Sequence, residues 1–137
     1  MKKRILILLL LLSPVLLNAQ TKDYKVVFDL TSKDTVDHKN VLRWINEISK
    51  ADSNAKLEVV FYGQSLDMVV KDKSIAPEII SNLANNKNLS FRVCSIAMHN
   101  HNIDKGQLLP GVQTVPDGIY EIVSKQKEGW GYIKVSH

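Results

Sequence analysis

Short apolar runs alternate along the chain with segments whose apolar residues recur at helical spacing. Three runs rich in β-branched and aromatic residues, at 24–30, 57–62 and 91–94, predict buried strands. Gly63 stops the second run, and Cys94 closes the third. Shorter runs at 113–115 and 130–135 predict two further strands.

Three helices are predicted between these strands. The first ends near Ala51 and follows a polar segment, 31–35, that can hold a turn and an N-cap. The second is capped by Ser74 with Pro77 in its first turn, and the third starts after Asp117. The predicted apolar faces are Val41, Leu42, Ile45 and Ile48 in the first helix and Ile75, Ile79, Ile80 and Leu83 in the second. In the third helix, Ile119, Ile122, Val123 and Gln126 lie on one side.

Repeated strand–helix units of this length predict an α/β fold. We expect a three-layer α/β/α domain with a mainly parallel sheet of about five strands and right-handed crossovers. In such sheets, ligands collect at the carboxyl ends of the strands. Cys94, Gly63 and the loop at 31–34 all follow strand ends, so we expect them to share one pocket.

Asp29 and Thr31 belong to the same predicted edge. Asp29 lies inside an otherwise apolar strand, where an unpaired carboxylate is costly, so it either points into the pocket or caps the turn that follows. No glycine-rich phosphate loop follows this first strand, which argues against a nucleotide or dinucleotide site. The sequence indicates no cofactor.

The first 19 residues have the pattern of an export signal. Lys2, Lys3 and Arg4 precede an apolar core that Pro14 interrupts, and cleavage is expected after Ala19. The apolar stretch is shorter than the roughly 20 residues that span a bilayer. We therefore expect a periplasmic or secreted protein without stable membrane insertion, in which residues 20–137 form a single domain.

Removal of this leader changes the charge of the protein. The leader holds three of the 18 basic residues and none of the 14 acidic ones, so the net charge falls from +4 to +1. The remaining basic residues are scattered among acidic ones. Nucleic-acid binding, which needs a concentrated basic surface, is not expected.

Cys94 is the only cysteine in the chain and cannot form an internal disulfide. A strand-end cysteine that enters a helix lies near unpaired backbone N–H groups, which favour the nucleophilic thiolate. Such a thiol can accept sulfur from a persulfide or attack a disulfide. Free cysteines are also among the most buried residues, so a structural role as a small core residue stays open.

His99 and His101 follow Cys94 closely. Either histidine within hydrogen-bond reach could accept the proton of the thiol. The three residues could alternatively supply a zinc or copper ligand set, although neighbouring asparagines indicate a solvated loop and no metal is expected. The other two histidines, His38 and His137, are expected to be solvated.

Four segments together resemble the DsrE/DsrF-like family, in particular its small single-domain branch. The resemblance covers nearly all of the chain after the leader, from 24 to 135, and Gly63 and Asn46 also match residues common in that branch. The segments are Phe91-x-Val93-Cys94, Leu109-Pro110-Gly111-Val112, Val115-Pro116-Asp117-Gly118 and Gln126-Lys127-Glu128-Gly129-Trp130-Gly131-Tyr132-Ile133.

The resemblance implies an α/β subunit that assembles into trimers or hexamers, with Cys94 in the position that carries a persulfide in the related sulfur-relay subunits. Residues 95–99 lack the arginine and glycine that follow the cysteine in those subunits. We therefore expect a sulfur-handling or thiol-redox accessory protein with a protein sulfur donor or acceptor. The alternatives are a non-catalytic oligomeric binding module with a structural cysteine, and a Cys/His metal-binding protein.

Oligomer formation also has a candidate contact segment. Met68, Val69 and Val70 follow Gly63 with no evident partner in a single subunit, so we expect them to pack between subunits.

Overall fold

Five strands form one sheet in the computed structural model, which describes residues 23–137. They are β1 (Lys25–Leu30), β2 (Lys56–Phe61), β3 (Leu89–Cys94), β4 (Gln113–Val115) and β5 (Gly131–Lys134). The sheet order is β4-β3-β2-β1-β5, and every neighbouring pair runs parallel. The predicted fold class is confirmed. The predicted leader, residues 1–19, lies outside the described part of the chain.

Four α-helices connect these strands. They are α1 (Thr35–Ala51), α2 (Pro77–Leu83), α3 (Ser95–Asn100) and α4 (Gly118–Lys127), and 3₁₀ turns lie at Ser65–Val69 and Lys105–Gln107. The steps from β1 to β4 all go one way across the sheet, whereas the step from β4 to β5 returns across it. Right-handed crossovers therefore place α1, α2 and α3 on one face and α4 alone on the other. None of these described helices is long and apolar enough to cross a membrane.

Two kinds of contact surround the start of α1, an N-cap and hydrogen bonds that involve His38 and His137. Asp34 is the N-cap, and its carboxylate accepts a hydrogen bond from the backbone N–H of Val36 at 2.8 Å, as the polar segment before the helix predicts. The expectation that His38 is solvated is wrong, because its side chain is buried and its Nε2 donates to the Ser32 carbonyl at 2.9 Å. His137 is exposed, but its Nδ1 lies 3.0 Å from an oxygen of Asp37.

The predicted subunit contact at 68–70 is also wrong. Met68 and Val69 are 0% exposed and Val70 is 2% exposed within the single subunit. The 3₁₀ turn folds this segment back over the sheet, and a loop covers it, since the Leu109 N–H donates to the Val69 carbonyl at 2.9 Å. The segment therefore belongs to the core of the subunit itself.

Two predicted helix faces need correction. The second helix begins at Pro77 rather than at a cap on Ser74, whose hydroxyl instead accepts from the Ala76 N–H at 3.3 Å. In this helix Ile80 is buried and Ile79 is exposed. Leu83 of α2 packs beside Ile80, whereas in α4 only Ile122 of the predicted apolar residues is buried. Ile79, Ile119 and Val123 are exposed, as is Ile75 before α2.

The α4 face of the sheet has a small apolar core. Its buried apolar residues in the described chain are Val27, Val60 and Ile122, against which Tyr62 and Trp130 pack. The larger core, on the opposite face, includes all three phenylalanines. The α4 face is therefore the side on which polar groups can gather.

Candidate functional site

The carboxyl edge of the sheet brings together the residues that follow β1, β2 and β3. Cys94 is the last residue of β3 and the N-cap of α3. Gly63 lies two residues beyond β2 and has a positive φ of 61°, which favours glycine. This conformation turns the chain towards β1, where the Gln64 N–H donates to the Thr31 carbonyl at 2.9 Å.

Cys94 lines an open pocket of about 550 Å³ at this edge. Cys94 is only 5% exposed, so little of the residue is open to solvent within the pocket. The other lining residues are Tyr62, Gly63, Gln64, Ile96, Ala97, Asn100, His101, Asp117 and Ile119. Three connections of the fold, those after β2, β3 and β4, therefore contribute to one cavity.

The first residue of α4 packs directly against Cys94. A Cβ atom on Gly118 would lie 3.1 Å from the Cys94 Cβ and 3.2 Å from the Val60 Cγ1. The helix start is fixed by Asp117, whose carboxylate accepts from the Ile119 N–H at 2.8 Å. Sequence reasoning identified Gly118 as a helix start but missed this close approach, since a glycine after a cap gives no sign of its neighbour.

The two histidines near Cys94 face different cavities. His101 lines the Cys94 pocket, and its Nε2 donates to the Gly63 carbonyl at 2.6 Å, which leaves Nδ1 free to accept a proton in the neutral ring. His99 lines a separate cavity with Ser95 and Lys105. Of the two predicted proton acceptors, only His101 shares the pocket with the thiol.

The alternative metal set is not assembled, because His99 does not face the Cys94 pocket. Across residues 23–137, no three His, Cys, Asp or Glu side chains are grouped closely enough to hold a metal ion. This placement contradicts the Cys/His metal-binding alternative.

Asp29 lies beside this pocket rather than in its lining. Its carboxylate is buried and accepts hydrogen bonds from the Tyr132 hydroxyl at 2.6 Å and the Lys134 ammonium at 3.0 Å. Lys134 also donates to the Thr31 hydroxyl at 2.8 Å, so Thr31 joins this network and likewise does not line the pocket. The predicted turn cap is therefore wrong, since Asp29 pairs with β5.

The phenols of two tyrosines respond to the Asp29 charge. The hydrogen bond to Asp29 and partial burial raise the pKa of Tyr132 to about 12. Burial, followed by the contact with Asp29, also raises the pKa of Tyr62. Tyr62 lines the Cys94 pocket, so it connects the Asp29 network to the candidate site.

A second buried carboxylate, Glu58, lies on the same sheet face and was missed from the sequence. Its Oε2 accepts from the Ser90 hydroxyl at 2.8 Å and lies 3.6 Å from the Lys125 ammonium, whereas its buried Oε1 has no hydrogen-bond partner. Burial raises the pKa of Glu58, and the neighbouring Glu121 adds to that effect. The signal in the sequence was the same as for Asp29, a carboxylate inside a buried strand.

Comparison with solved structures supports the fold. A protein of unknown function from Methanobacterium thermoautotrophicum, MTH1491, is 28% identical, with a TM-score of 0.77 over 82% of this chain and 99% of that one. The Escherichia coli YchN protein is 13% identical, with a TM-score of 0.68 over 82% and 98% of the two chains. The BT1422 protein from Bacteroides thetaiotaomicron is 16% identical, with a TM-score of 0.63 over 81% and 94%.

Sequence comparison identifies the family. No curated protein matches the chain. The DsrE/DsrF-like family matches residues 25–135, which is most of the chain and contains Cys94 and every other residue of the candidate site. The chain belongs to the DsrE/DsrF-like family, which is associated with sulfur relay.

Proposed function

We propose that this protein is an exported sulfur-handling or thiol-redox accessory protein that acts through Cys94. The observation that carries the proposal is the position of Cys94 in the lining of an open pocket at the carboxyl edge of the sheet. Membership of the DsrE/DsrF-like family supports sulfur as the group that is handled.

The proposed step is transfer of sulfane sulfur to Cys94. The Cys94 thiolate attacks the outer sulfur of a donor persulfide, and a new S–S bond forms as the S–S bond of the donor breaks. The donor leaves as a thiolate, and Cys94 becomes a persulfide. The reverse step delivers the sulfur to an acceptor thiolate, so no external oxidant or reductant is needed.

His101 is the proposed proton acceptor for the thiol. It lines the same pocket, and its Nε2 hydrogen bond to Gly63 leaves Nδ1 as the basic atom. Gly63 thus has two roles in the proposal, since it turns the chain at the pocket and fixes the histidine ring. His99 has no role in this proposal.

The test is the chemistry of Cys94 in the native protein. We expect iodoacetamide to alkylate the folded protein at Cys94 without denaturant, and polysulfide to add sulfur that mass spectrometry detects and reductant removes. Cys94→Ser should lose both reactions and keep the fold, since one atom changes.

A structural role for Cys94 is the second candidate function, that of an oligomeric binding module. The low exposure of the thiol and its packing in the larger core favour it. Alkylation only after denaturation would support this candidate and contradict sulfur transfer.

Assembly into a trimer or hexamer is also part of the proposal, as the resemblance implies. Tyr120 and Val123 lie exposed on α4, the helix that alone covers its face of the sheet, and they replace Met68–Val70 as the proposed contact. Light scattering should report an oligomer that Tyr120→Glu dissociates, whereas Ile79→Glu, at an exposed position of α2, should leave it assembled. A monomeric wild-type protein would contradict the proposal.

Export to the periplasm or the medium completes the proposal. The mature chain should begin at Gln20, and its partner should be a protein that donates or accepts sulfur. Intact mass of the protein purified from its own host tests the cleavage site. Retention of residues 1–19 in the mature protein would contradict it.

A further inference from the structure

We propose that the Cys94 pocket selects an uncharged, apolar low-molecular-weight thiol as the carrier that donates sulfur, in preference to an anionic carrier, so that the partner protein is the sulfur acceptor. This inference rests on the proposed sulfur chemistry of Cys94 and adds the class of molecule that the pocket accepts. The carrier would be an alkyl or aryl persulfide, which gives up its outer sulfur to Cys94 and leaves as the corresponding thiolate.

The size of the pocket fits a small molecule. Its volume of about 550 Å³ lies within the range of about 300–1,000 Å³ that is usual for small-molecule sites. Cys94 lines the pocket and is only 5% exposed, so a carrier must enter the cavity for its outer sulfur to reach Cys94. Most of a small carrier would therefore contact the walls during the reaction.

Part of the pocket wall is apolar. Ile96 on α3 and Ile119 on α4 are 53% and 60% exposed, although each lines the pocket. Ala97 and the ring of Tyr62 complete the apolar lining. A bound apolar group would remove these exposed side chains from water, which is the main favourable term for such binding.

The charge of the pocket disfavours an anion. Of the described residues that line it, none is a lysine or arginine, and Asp117 brings a negative charge. Lys134, the cation nearest to the ring of Tyr62, already bonds to Asp29 and Thr31. An anionic carrier would lose water without gaining a cationic partner, and this loss is costly.

The experiment compares two disulfide probes that differ in charge. Dithiodipyridine is neutral, dithiobis(nitrobenzoate) is a dianion, and both release a coloured thiolate or thione when Cys94 attacks. The ratio of the two rate constants is measured for the native protein and for an unstructured cysteine peptide. We expect the protein to raise the ratio about tenfold in favour of the neutral probe, which corresponds to a free-energy preference of about 1.4 kcal/mol.

Variants of the wall test whether the pocket is responsible. Ile96→Ser should slow the neutral probe about fourfold or more, the effect of about one buried methylene group, and should change the iodoacetamide rate far less. Ile79→Ser, at a position of α2 with 54% exposure, is the matched control and should change neither rate.

The outcomes separate the two proposals. If native Cys94 reacts with iodoacetamide but shows the same probe ratio as the peptide, the carrier class is wrong and sulfur transfer stands. If Ile96→Ser leaves the neutral probe unaffected, the apolar wall has no role and the inference is overturned. If native Cys94 reacts with no probe, both proposals are wrong.

Discussion

The two faces of the sheet are covered in different ways. On the α1 and α2 face, a large apolar core includes residues from β1, β2, β3 and the 3₁₀ turn at Ser65–Val69. On the α4 face, the buried apolar residues of the described chain are Val27, Val60 and Ile122. The buried carboxylates Asp29 and Glu58 lie on this second face, where α4 is the only helix of residues 23–137 that covers the sheet.

The two carboxylates are satisfied to different degrees. Both oxygens of Asp29 accept hydrogen bonds, from Tyr132 and from Lys134. Glu58 has one bonded oxygen and one buried oxygen with no partner. A satisfied carboxylate fixes the strands around it, whereas a half-satisfied one makes folding depend on its protonation.

The largest expected effect on stability comes from a substitution in the apolar core on the α1 and α2 face of the sheet. Met68→Asp should prevent folding, because Met68 is fully buried and a carboxylate there has no partner, at a cost of at least about 3 kcal/mol. Circular dichroism and urea unfolding measure it. Ile79→Asp, exposed on α2, is the control and should fold normally. If the Met68→Asp protein folds but no longer forms an oligomer, this result would support the subunit contact that the sequence predicts at Met68.

A smaller loss is expected when the satisfied carboxylate is removed. Asp29→Leu leaves the Tyr132 and Lys134 donors without their acceptor, and we expect a loss of about 1–3 kcal/mol in the free energy of unfolding. Lys134 is partly exposed and can turn to water, which keeps this loss below that of Met68→Asp.

The tyrosine titration is the specific readout for this network. Asp29→Asn keeps one acceptor oxygen but removes the charge, so the pKa of Tyr132 should fall from about 12 towards its ordinary value. Absorbance of the phenolate measures that change. An unchanged titration would show that Asp29 does not control Tyr132.

The strands and the shared edge of the sheet could be predicted from the sequence. β-Branched runs that end in a glycine or a cysteine identified β2 and β3, and parallel pairing then requires their ends to meet at one edge. This reasoning correctly placed Cys94 and Gly63 together. It extended the pocket too far, since Asp29 and Thr31 bond to Lys134 on β5 instead.

His99 and His101 show that the spacing of two residues in the sequence does not give the directions of their side chains. The asparagines beside His99 and His101 predict a solvated loop, whereas His99 lies in the short helix α3 and His101 is its C-cap. Side chains two positions apart on or at the end of a helix point about 200° apart, so His99 and His101 diverge into different cavities. The spacing alone suggested a joint site because it carries no information on this rotation.

Burial on the α4 face was also difficult to predict. Glu58 and Asp29 each interrupt a buried apolar strand, yet their partners Lys125, Tyr132 and Lys134 lie far along the chain. The sequence showed that a carboxylate needs a partner, and only the crossover of α4 and the pairing of β5 determine which residue provides it.

The smallest expected effect in ordinary buffer, and the one that depends most on pH, comes from Glu58→Gln. The amide keeps an oxygen for Ser90 and removes the charge that is buried without a full set of partners. At neutral pH we expect the free energy of unfolding to change by at most about 1 kcal/mol, because loss of the Lys125 attraction is offset by the lower cost of burial.

The sign of the pH dependence distinguishes Glu58 from an ordinary surface acid. Its pKa is raised in the folded protein, so protonation contributes stability that is fully present below the unfolded pKa and is lost as the pH rises through the folded pKa. The wild-type protein should therefore lose stability relative to Glu58→Gln as the pH rises above the ordinary glutamate pKa of about 4.3. Glu47→Gln removes an exposed carboxylate as a control and should show no such trend. Urea unfolding as a function of pH measures this difference. If the stability of the wild-type protein relative to Glu58→Gln stays constant or rises with pH, Glu58 is fully compensated by Lys125, Arg92 and Ser90, as Asp29 is by Tyr132 and Lys134.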